Sequence, residues 1–197
     1  MKPEILGDRY NKLARWWHDN HQNSNYGVNQ VEKALQYCQQ GANALDVGCG
    51  AGGRMVRLMQ KKGFAITGID VSSEMIKLAI ENHSDENFFV NDICHFQATE
   101  KYQFILAWDS IFHLPLNEQE PVITKLCNLL AKGGVLIYTF GDAVGEHDDQ
   151  MKGETFHYSS IGIDGNLALM AKHGVTCKHL ELDQWPQSHV YCIGIKS

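Results

Sequence analysis

An apolar segment that runs straight into a turn crowded with glycine constrains this chain more than any other feature. The segment is Leu45-Asp46-Val47-Gly48-Cys49-Gly50-Ala51-Gly52-Gly53. Glycines at Gly48 and Gly50 let the backbone bend tightly and let a ligand approach where a Cβ would collide. Asp46 lies just ahead of the turn inside the apolar run. An unpaired buried carboxylate is costly, so Asp46 either binds loop amides and orients the turn or touches a ligand. Such a turn reads as a cradle for a nucleoside cofactor. The spacing Gly48, Gly50, Gly53 also satisfies the dinucleotide fingerprint, so the turn by itself does not say which nucleoside it holds.

With 197 residues the chain is long enough for one substantial core and short for two domains of typical size, so one domain spanning residues 1–197 is expected. Hydrophobic residues make up 44% and charged residues 20%, the balance of an ordinary globule and not of a disordered chain. No run of about 18 apolar residues occurs, and Met1-Lys2-Pro3-Glu4-Ile5-Leu6-Gly7-Asp8 lacks the apolar core of a signal peptide. The expected compartment is the cytoplasm. Six cysteines (Cys38, Cys49, Cys94, Cys127, Cys177, Cys192) form no Cys-x-x-Cys pair, which points to reduced, mostly buried thiols. A net charge of −6 with four arginines offers no basic patch for a phosphate backbone, so nucleic acid is not an expected substrate.

After Gly41 apolar runs alternate with amphipathic stretches, the pattern of an α/β sheet with helices on both faces. Strands are expected at Ala44–Val47, Phe64–Ile69, Asn87–Val90, Phe104–Trp108 and Val135–Phe140. Helices are expected at Gly53–Lys62, after a cap at Ser72 or Ser73, at Glu118–Leu130, and at Ile161–His173. Val175–Leu182 and His189–Ile195 should pair as an antiparallel hairpin, the terminal unit of residues 175–197. Two helical stretches, Asp8–Asp19 and Val28–Gln39, have no strand to cross over to. Residues 1–40 are therefore expected to form a helical lid on the ligand edge.

In an open parallel sheet ligands bind beyond the carboxyl ends of the strands. Asp46, Asp70, Asp92 and Asp109 all fall at or near such ends. Asp70, about 20 residues after the glycine turn, is placed to accept hydrogen bonds from both hydroxyls of a ribose. The competing role, a helix N-cap, is better filled by Ser72 or Ser73. Asp92 either meets an adenine amino group while Ile93 covers the ring, or is simply a turn residue.

Here the chain resembles the class I S-adenosylmethionine-dependent methyltransferases. Leu45 to Gly53 matches that family's glycine motif, Gly68-Ile-Asp-Val-Ser-Ser-Glu-Met75 its ribose motif, and Asn91-Asp92-Ile93 its adenine motif. Phe104-Ile-Leu-Ala-Trp-Asp-Ser-Ile-Phe-His-Leu-Pro115 and Leu129-Leu-Ala-Lys-Gly-Gly-Val-Leu-Ile137 are similar to its fourth and fifth strands. The likeness covers residues 26–197 and is greatest to small bacterial members that carry a Trp-Asp-Ser-x-Phe-His-Leu-Pro segment. It implies a Rossmann-like fold, a seven-stranded sheet of order 3-2-1-4-5-7-6 with an antiparallel last strand, and helices on both faces. It also implies S-adenosylmethionine as cofactor, S-adenosylhomocysteine as product, and a donor site of Asp46, Gly48, Cys49, Gly50, Asp70, Val71, Met75, Asp92, Ile93 and Trp108.

The acceptor side is less determined. A methyl acceptor needs a nucleophile in line behind the sulfonium and, in many cases, removal of a proton. His113 is the leading candidate base, because an imidazole titrates near neutrality, with Asp109 and His189 as further catalytic candidates. A packing role for His113 and an edge-strand role for His189 stand beside these. His157 and Tyr158 fall in a later loop, and Trp16, Trp17 and Tyr26 in the lid. Of these, Trp17 and Tyr26 are the candidates for flanking the sulfonium, the alternative being packing onto the sheet edge. Arg9 and Arg15 either hold a carboxylate or are solvated charges. A metal site from His113, His157 and His189 has no short ligand spacing behind it, and none is expected. Pro3, Pro115, Pro121 and Pro186 are never adjacent, so the Asn/Asp-Pro-Pro-aromatic motif of base methyltransferases is missing; a small-molecule acceptor is expected, and no membrane. Two other functions stand beside methyl transfer: a catalytically silent nucleoside sensor, and an NAD-dependent oxidoreductase. The second lacks a Tyr-x-x-x-Lys pair and a substrate domain. Oligomeric state is open.

Overall fold

The structure, a computed structural model, describes residues 1–39 and 41–197. Two helices, α1 (Pro3–His21) and α2 (Val28–Leu35), precede the first strand. The chain then alternates β1 (Asn43–Val47), α3 (Arg54–Lys61), β2 (Ala65–Asp70), α4 (Ser73–Asn82) and β3 (Asn87–Val90). It continues through β4 (Tyr102–Ala107), α5 (Leu116–Leu129), β5 (Leu130–Gly141), β6 (Val144–Met151) and β7 (Glu154–Ile161). Last come α6 (Gly162–Lys172), β8 (Val175–Leu182) and β9 (His189–Lys196).

Seven strands form one sheet in the order β3-β2-β1-β4-β5-β9-β8, in which only β9 runs against its neighbours. That is the expected order, renumbered because two more strands precede the terminal hairpin. The central strands read as unbroken apolar runs because both faces are covered, and side chains alternate between those faces. Leu45, Ile105, Leu136 and Tyr138 face α5 and α6, whereas Ala44, Phe104, Leu106 and Ile137 face α2 and α3. On α5 the inward residues Val122, Ile123, Leu126 and Cys127 repeat at helical spacing.

Three expectations are corrected. The stretch holding His157 and Tyr158, read as a loop, belongs to an antiparallel hairpin, β6–β7, which makes a separate two-stranded sheet and takes in Ile161, the expected helix start. Much of β6 is polar and exposed, so no period-2 apolar pattern marked it. Second, α2 is not a lid: Val31, Ala34 and Leu35 are buried with Met59 and Phe104, and α2 packs on α3 and β5. Gln40, the expected end of the lid, lies outside the described residues. Third, β5 begins directly at Leu130 and not at Val135, so Gly133-Gly134 lie within that strand. Among the described residues no helix is long and apolar enough to cross a membrane.

If α2 is core, Leu35→Ala should lower unfolding free energy by about 2–5 kcal/mol in urea titrations. A loss below about 0.5 kcal/mol would return α2 to the role of a surface lid.

Candidate active site

The strand ends of β1, β2 and β4 converge on one edge, and the glycine turn shapes it. Gly48 has φ +75°, and a Cβ there would lie 2.3 Å from the Ser110 Cβ, so both conformation and space require glycine. Amides of Gly48 and Cys49 donate to the Ile69 carbonyl at 2.8 and 3.1 Å, joining the turn to β2. One residue on, Asp70 Oδ2 accepts from the Gly50 amide at 3.0 Å and Oδ1 from the Ser72 amide at 2.8 Å. Burial pushes the Asp70 carboxyl up, and the bonds from Ser72, Gly50 and Val71 oppose that shift. Each carboxylate oxygen keeps a lone pair for a ligand.

α1 is locked to this loop. Ser72 caps α4 by accepting from the Met75 amide at 3.1 Å, and its hydroxyl donates to Asn11 Oδ1 at 2.8 Å. Asn11 Oδ1 also accepts from the Glu74 amide at 3.1 Å. Gly7, mid-helix, lets the α1 backbone approach Val71: a Cβ there would sit 2.5 Å from the Val71 carbonyl oxygen.

Beneath α1 lies a cavity of about 160 Å³, and all ten residues expected to hold the donor line it: Asp46, Gly48, Cys49, Gly50, Asp70, Val71, Met75, Asp92, Ile93 and Trp108. Asp92 is braced by the Cys94 amide at 2.9 Å and by His95 at 2.8 Å. Among the described residues the Asp46 carboxylate makes no hydrogen bond to the loop amides; burial first, then the charge of Asp70, raises its pKa to about 7, against the pull of Arg54. It is thus a wall of the cavity and not a brace of the turn. Arg54, at the start of α3, also lines the cavity, with its Nε on the Tyr26 carbonyl at 2.5 Å and its guanidinium 5.4 Å from the Tyr26 ring centroid. Sequence reading weighed only Arg9 and Arg15 for such a role, although the position just after the glycine turn pointed to Arg54. Arg9 instead lies 4.0 Å from Glu154, beside a 2.7 Å Lys12–Glu154 pair that ties α1 to β7. The hydroxyl of Ser110, buried on the same wall, has no partner among the described residues.

A second, wider cleft of about 910 Å³ opens between α1, the β6–β7 hairpin and the β8–β9 turn. It shares Tyr10, Trp17, Asp109 and His113 with the first cavity, so those four mark the junction. His113 is buried. Its Nδ1 lies 2.8 Å from the His157 carbonyl, which only accepts, so Nδ1 carries the proton and Nε2 accepts from the Tyr10 hydroxyl at 2.9 Å. Burial holds His113 down at about 4, opposed mainly by that bond from Nδ1, so the ring is neutral, and burial drives Tyr10 well above its ordinary value. No sequence motif singled out Tyr10; its one signal was helical spacing, i and i+7, with Trp17.

Asp109, two residues beyond β4, has φ +50°, a left-handed conformation rare for a residue with a side chain. Its amide donates to Thr139 Oγ1 at 2.8 Å, and its carboxylate lies 2.9 Å from His189 Nε2. His189 Nδ1 faces Asp183, so both ring nitrogens meet acceptors. Burial alone would lower the His189 pKa, but the bonds and charges of Asp109 and Asp183 outweigh it and hold it above the ordinary value. Tyr26 and Tyr158 line the wider cleft, and Tyr26 also stands edge-on to Trp108 at 5.7 Å. His157 does not line either cavity. It is a residue of β7, not of a loop, and its ring turns to Asp148 and Glu146 at 2.8 and 3.5 Å. No group of three potential metal ligands occurs among the described residues.

Residues 16–185 match the family described as a methyltransferase domain. Phosphoethanolamine N-methyltransferase 2 of Caenorhabditis elegans is 29% identical over 119 residues, 57% of this chain and 27% of that protein. The ubiquinone biosynthesis O-methyltransferase of Actinobacillus pleuropneumoniae is 30% identical over 154 residues, 67% of this chain and 62% of that protein. The chain thus spans less than two thirds of the length of these curated relatives. Among solved structures, magnesium protoporphyrin IX methyltransferase of Synechocystis with bound S-adenosylhomocysteine superposes with a TM-score of 0.76 at 18% identity, covering 98% of this chain and 99% of that one. The match to the family description extends over most of the chain, from the middle of α1 to the β8–β9 turn, and takes in the ends of β1, β2 and β4 that shape the narrower cavity. The chain belongs to the methyltransferase domain family.

Proposed function

We propose that this protein transfers the methyl group of S-adenosylmethionine to a small molecule held in the wider cleft, in the cytoplasm. The observation that carries the reading is Asp70, fixed through both oxygens by the Gly50 and Ser72 amides with lone pairs still turned to the narrower cavity. A ribose suits that carboxylate, an adenine suits the Asp92–Ile93 wall, and the amino and carboxylate ends of the methionine portion suit Asp46 and Arg54. The Ser110 hydroxyl, buried without a partner among the described residues, and the buried Asp46 carboxylate are polar groups that such a ligand would satisfy. When bound, S-adenosylmethionine supplies an electrophilic methyl on a sulfonium. The relatives' names specify different acceptors, so none of them is carried to this chain.

The four junction residues take the chemical roles. His113 acts as base only through Tyr10, because both its nitrogens are already engaged: the Tyr10 oxygen receives the acceptor's proton as its own passes to Nε2. Asp109, oriented by Thr139 and by the His189 ring, positions the acceptor. Trp17, beside the junction, excludes water. Tyr26, Tyr158 and His189 wall the acceptor side.

Asp70→Ala should weaken S-adenosylhomocysteine binding about 100-fold in calorimetry, since two charge-assisted bonds are lost. Unchanged affinity, or a melting shift with NAD in place of the thioether, would remove the donor assignment. Tyr10→Phe should lower kcat at least about tenfold while leaving donor affinity within about twofold. An unaltered kcat would end the relay.

The two histidines also leave a signature in stability. Between about pH 6.5 and 4, unfolding lets His113 take up a proton, so stability falls as pH drops through that window. His189 has the opposite sign: its contribution is complete below 6.5 and is lost as pH rises past its higher folded value. In urea titrations across pH 6.5 to 4, His113→Gln should reduce the slope by up to about 1.4 kcal/mol per pH unit. An unchanged slope would contradict a buried, neutral His113.

A further inference from the structure

From the wall of the wider cleft we propose that the methyl acceptor is a cationic amine, bound as its ammonium ion without any anionic group. This rests on the reading of the two cavities given above. Asp109, Asp142, Glu146 and Asp149 line the cleft, and no lysine or arginine does so among the described residues. On α1 Lys12 pairs with Glu154 at 2.7 Å and Arg9 lies 4.0 Å from it, while the Met1 ammonium, which interacts with Asp148 and Glu146, lines the narrower cavity and not the cleft. His189 is the one side chain on this wall held toward its charged form, and it lies between two carboxylates, Asp109 and Asp183, so that cluster remains net negative. Glu146 has His157 at 3.5 Å; the Asp142 carboxylate forms no ion pair among the described residues.

Aromatic faces supply the second half of the recognition. Tyr10, Trp17, Tyr26, Phe112 and Tyr158 all line the same cleft, with Phe112 and Tyr158 5.5 Å apart and tilted by 31°. Ring faces attract ammonium ions, most strongly when several of them displace water, and carboxylates add a long-range attraction. A phosphate or carboxylate on the acceptor would instead meet four acids and find no lysine or arginine side chain on this wall to bind it. An uncharged phenol would gain nothing from those carboxylates.

The same wall accounts for the proton. An ammonium ion is not nucleophilic, so one N–H proton must leave; His113, held at about 4, does not retain it but passes it on to solvent by way of the Tyr10 oxygen and Nε2, 2.9 Å apart. The freed lone pair then forms the N–CH3 bond as the S–CH3 bond breaks, and sulfur keeps that electron pair. The methylated amine leaves as an ammonium and the proton goes from His113 to solvent.

The test uses the full chain saturated with S-adenosylhomocysteine and three probes of one shape: choline, its uncharged isostere 3,3-dimethylbutan-1-ol, and the anion 3,3-dimethylbutanoate. Choline should bind at least about tenfold more tightly than the alcohol by calorimetry or tryptophan fluorescence, and the anion should bind least. Asp142→Asn combined with Asp149→Asn should cut the choline-to-alcohol ratio at least about threefold; because the ratio is taken within one variant, general loosening cancels. In turnover, primary and secondary amines should release S-adenosylhomocysteine faster than carboxylates of the same skeleton. Equal binding of choline and alcohol, no choline binding, or faster turnover of carboxylates or phenols overturns the amine assignment while leaving the donor site intact. Failure of S-adenosylhomocysteine to bind overturns both.

Discussion

The carboxylate of Asp70 joins the two halves of this site. One oxygen holds the Gly50 amide of the turn after β1, and the other holds the Ser72 amide at the start of α4. Because Ser72 in turn caps α4 and bonds Asn11, the same contact fixes where α1 lies. α1 then places Tyr10 against His113 and roofs the narrower cavity. A buried carboxylate satisfied by backbone amides costs less than one left unpaired, and its remaining lone pairs point where a diol fits. Binding and architecture therefore depend on one side chain.

Charge is distributed unevenly across the junction. On one side His113 is neutral and enclosed; on the other, His189 is held toward its charged form by Asp109 and Asp183. Two histidines of the same intrinsic chemistry are thus driven in opposite directions, the first by desolvation and the second by neighbouring carboxylates that overcome it. The left-handed backbone at Asp109 is held in place by its Thr139 contact and directs that carboxylate to His189. Strained geometry just beyond a central strand, between two cavities, is the kind of feature that accompanies function.

Much of this was legible in the order of residues. The parallel core announced itself because its strands are apolar on both faces, and the glycine turn and Asp70 lie at a spacing that topology converts into proximity. Contacts set by tertiary packing were not legible. Gly7 and Asn11 look like ordinary helical residues until α1 is seen docked on Val71 and Ser72. The β6–β7 hairpin was hidden because much of β6 is polar and exposed. His157 drew attention as a histidine beside a tyrosine, yet its ring pairs with hairpin acids and only its carbonyl reaches His113. α2 was misjudged because connectivity, not burial pattern, guided the reading: Val31, Ala34 and Leu35 already had the spacing of a buried face.

A crystal structure with S-adenosylhomocysteine is the most direct test of the arrangement in which a donor cavity meets an acceptor cleft at Tyr10, Trp17, Asp109 and His113. The expected complex has adenine beside Asp92 and Ile93, both ribose hydroxyls on Asp70, and sulfur turned to that junction. The departed methyl position should then lie about 3–3.5 Å from space open to the wider cleft. A nucleoside seated in the wider cleft, or a sulfur directed away from Tyr10 and Asp109, would contradict it.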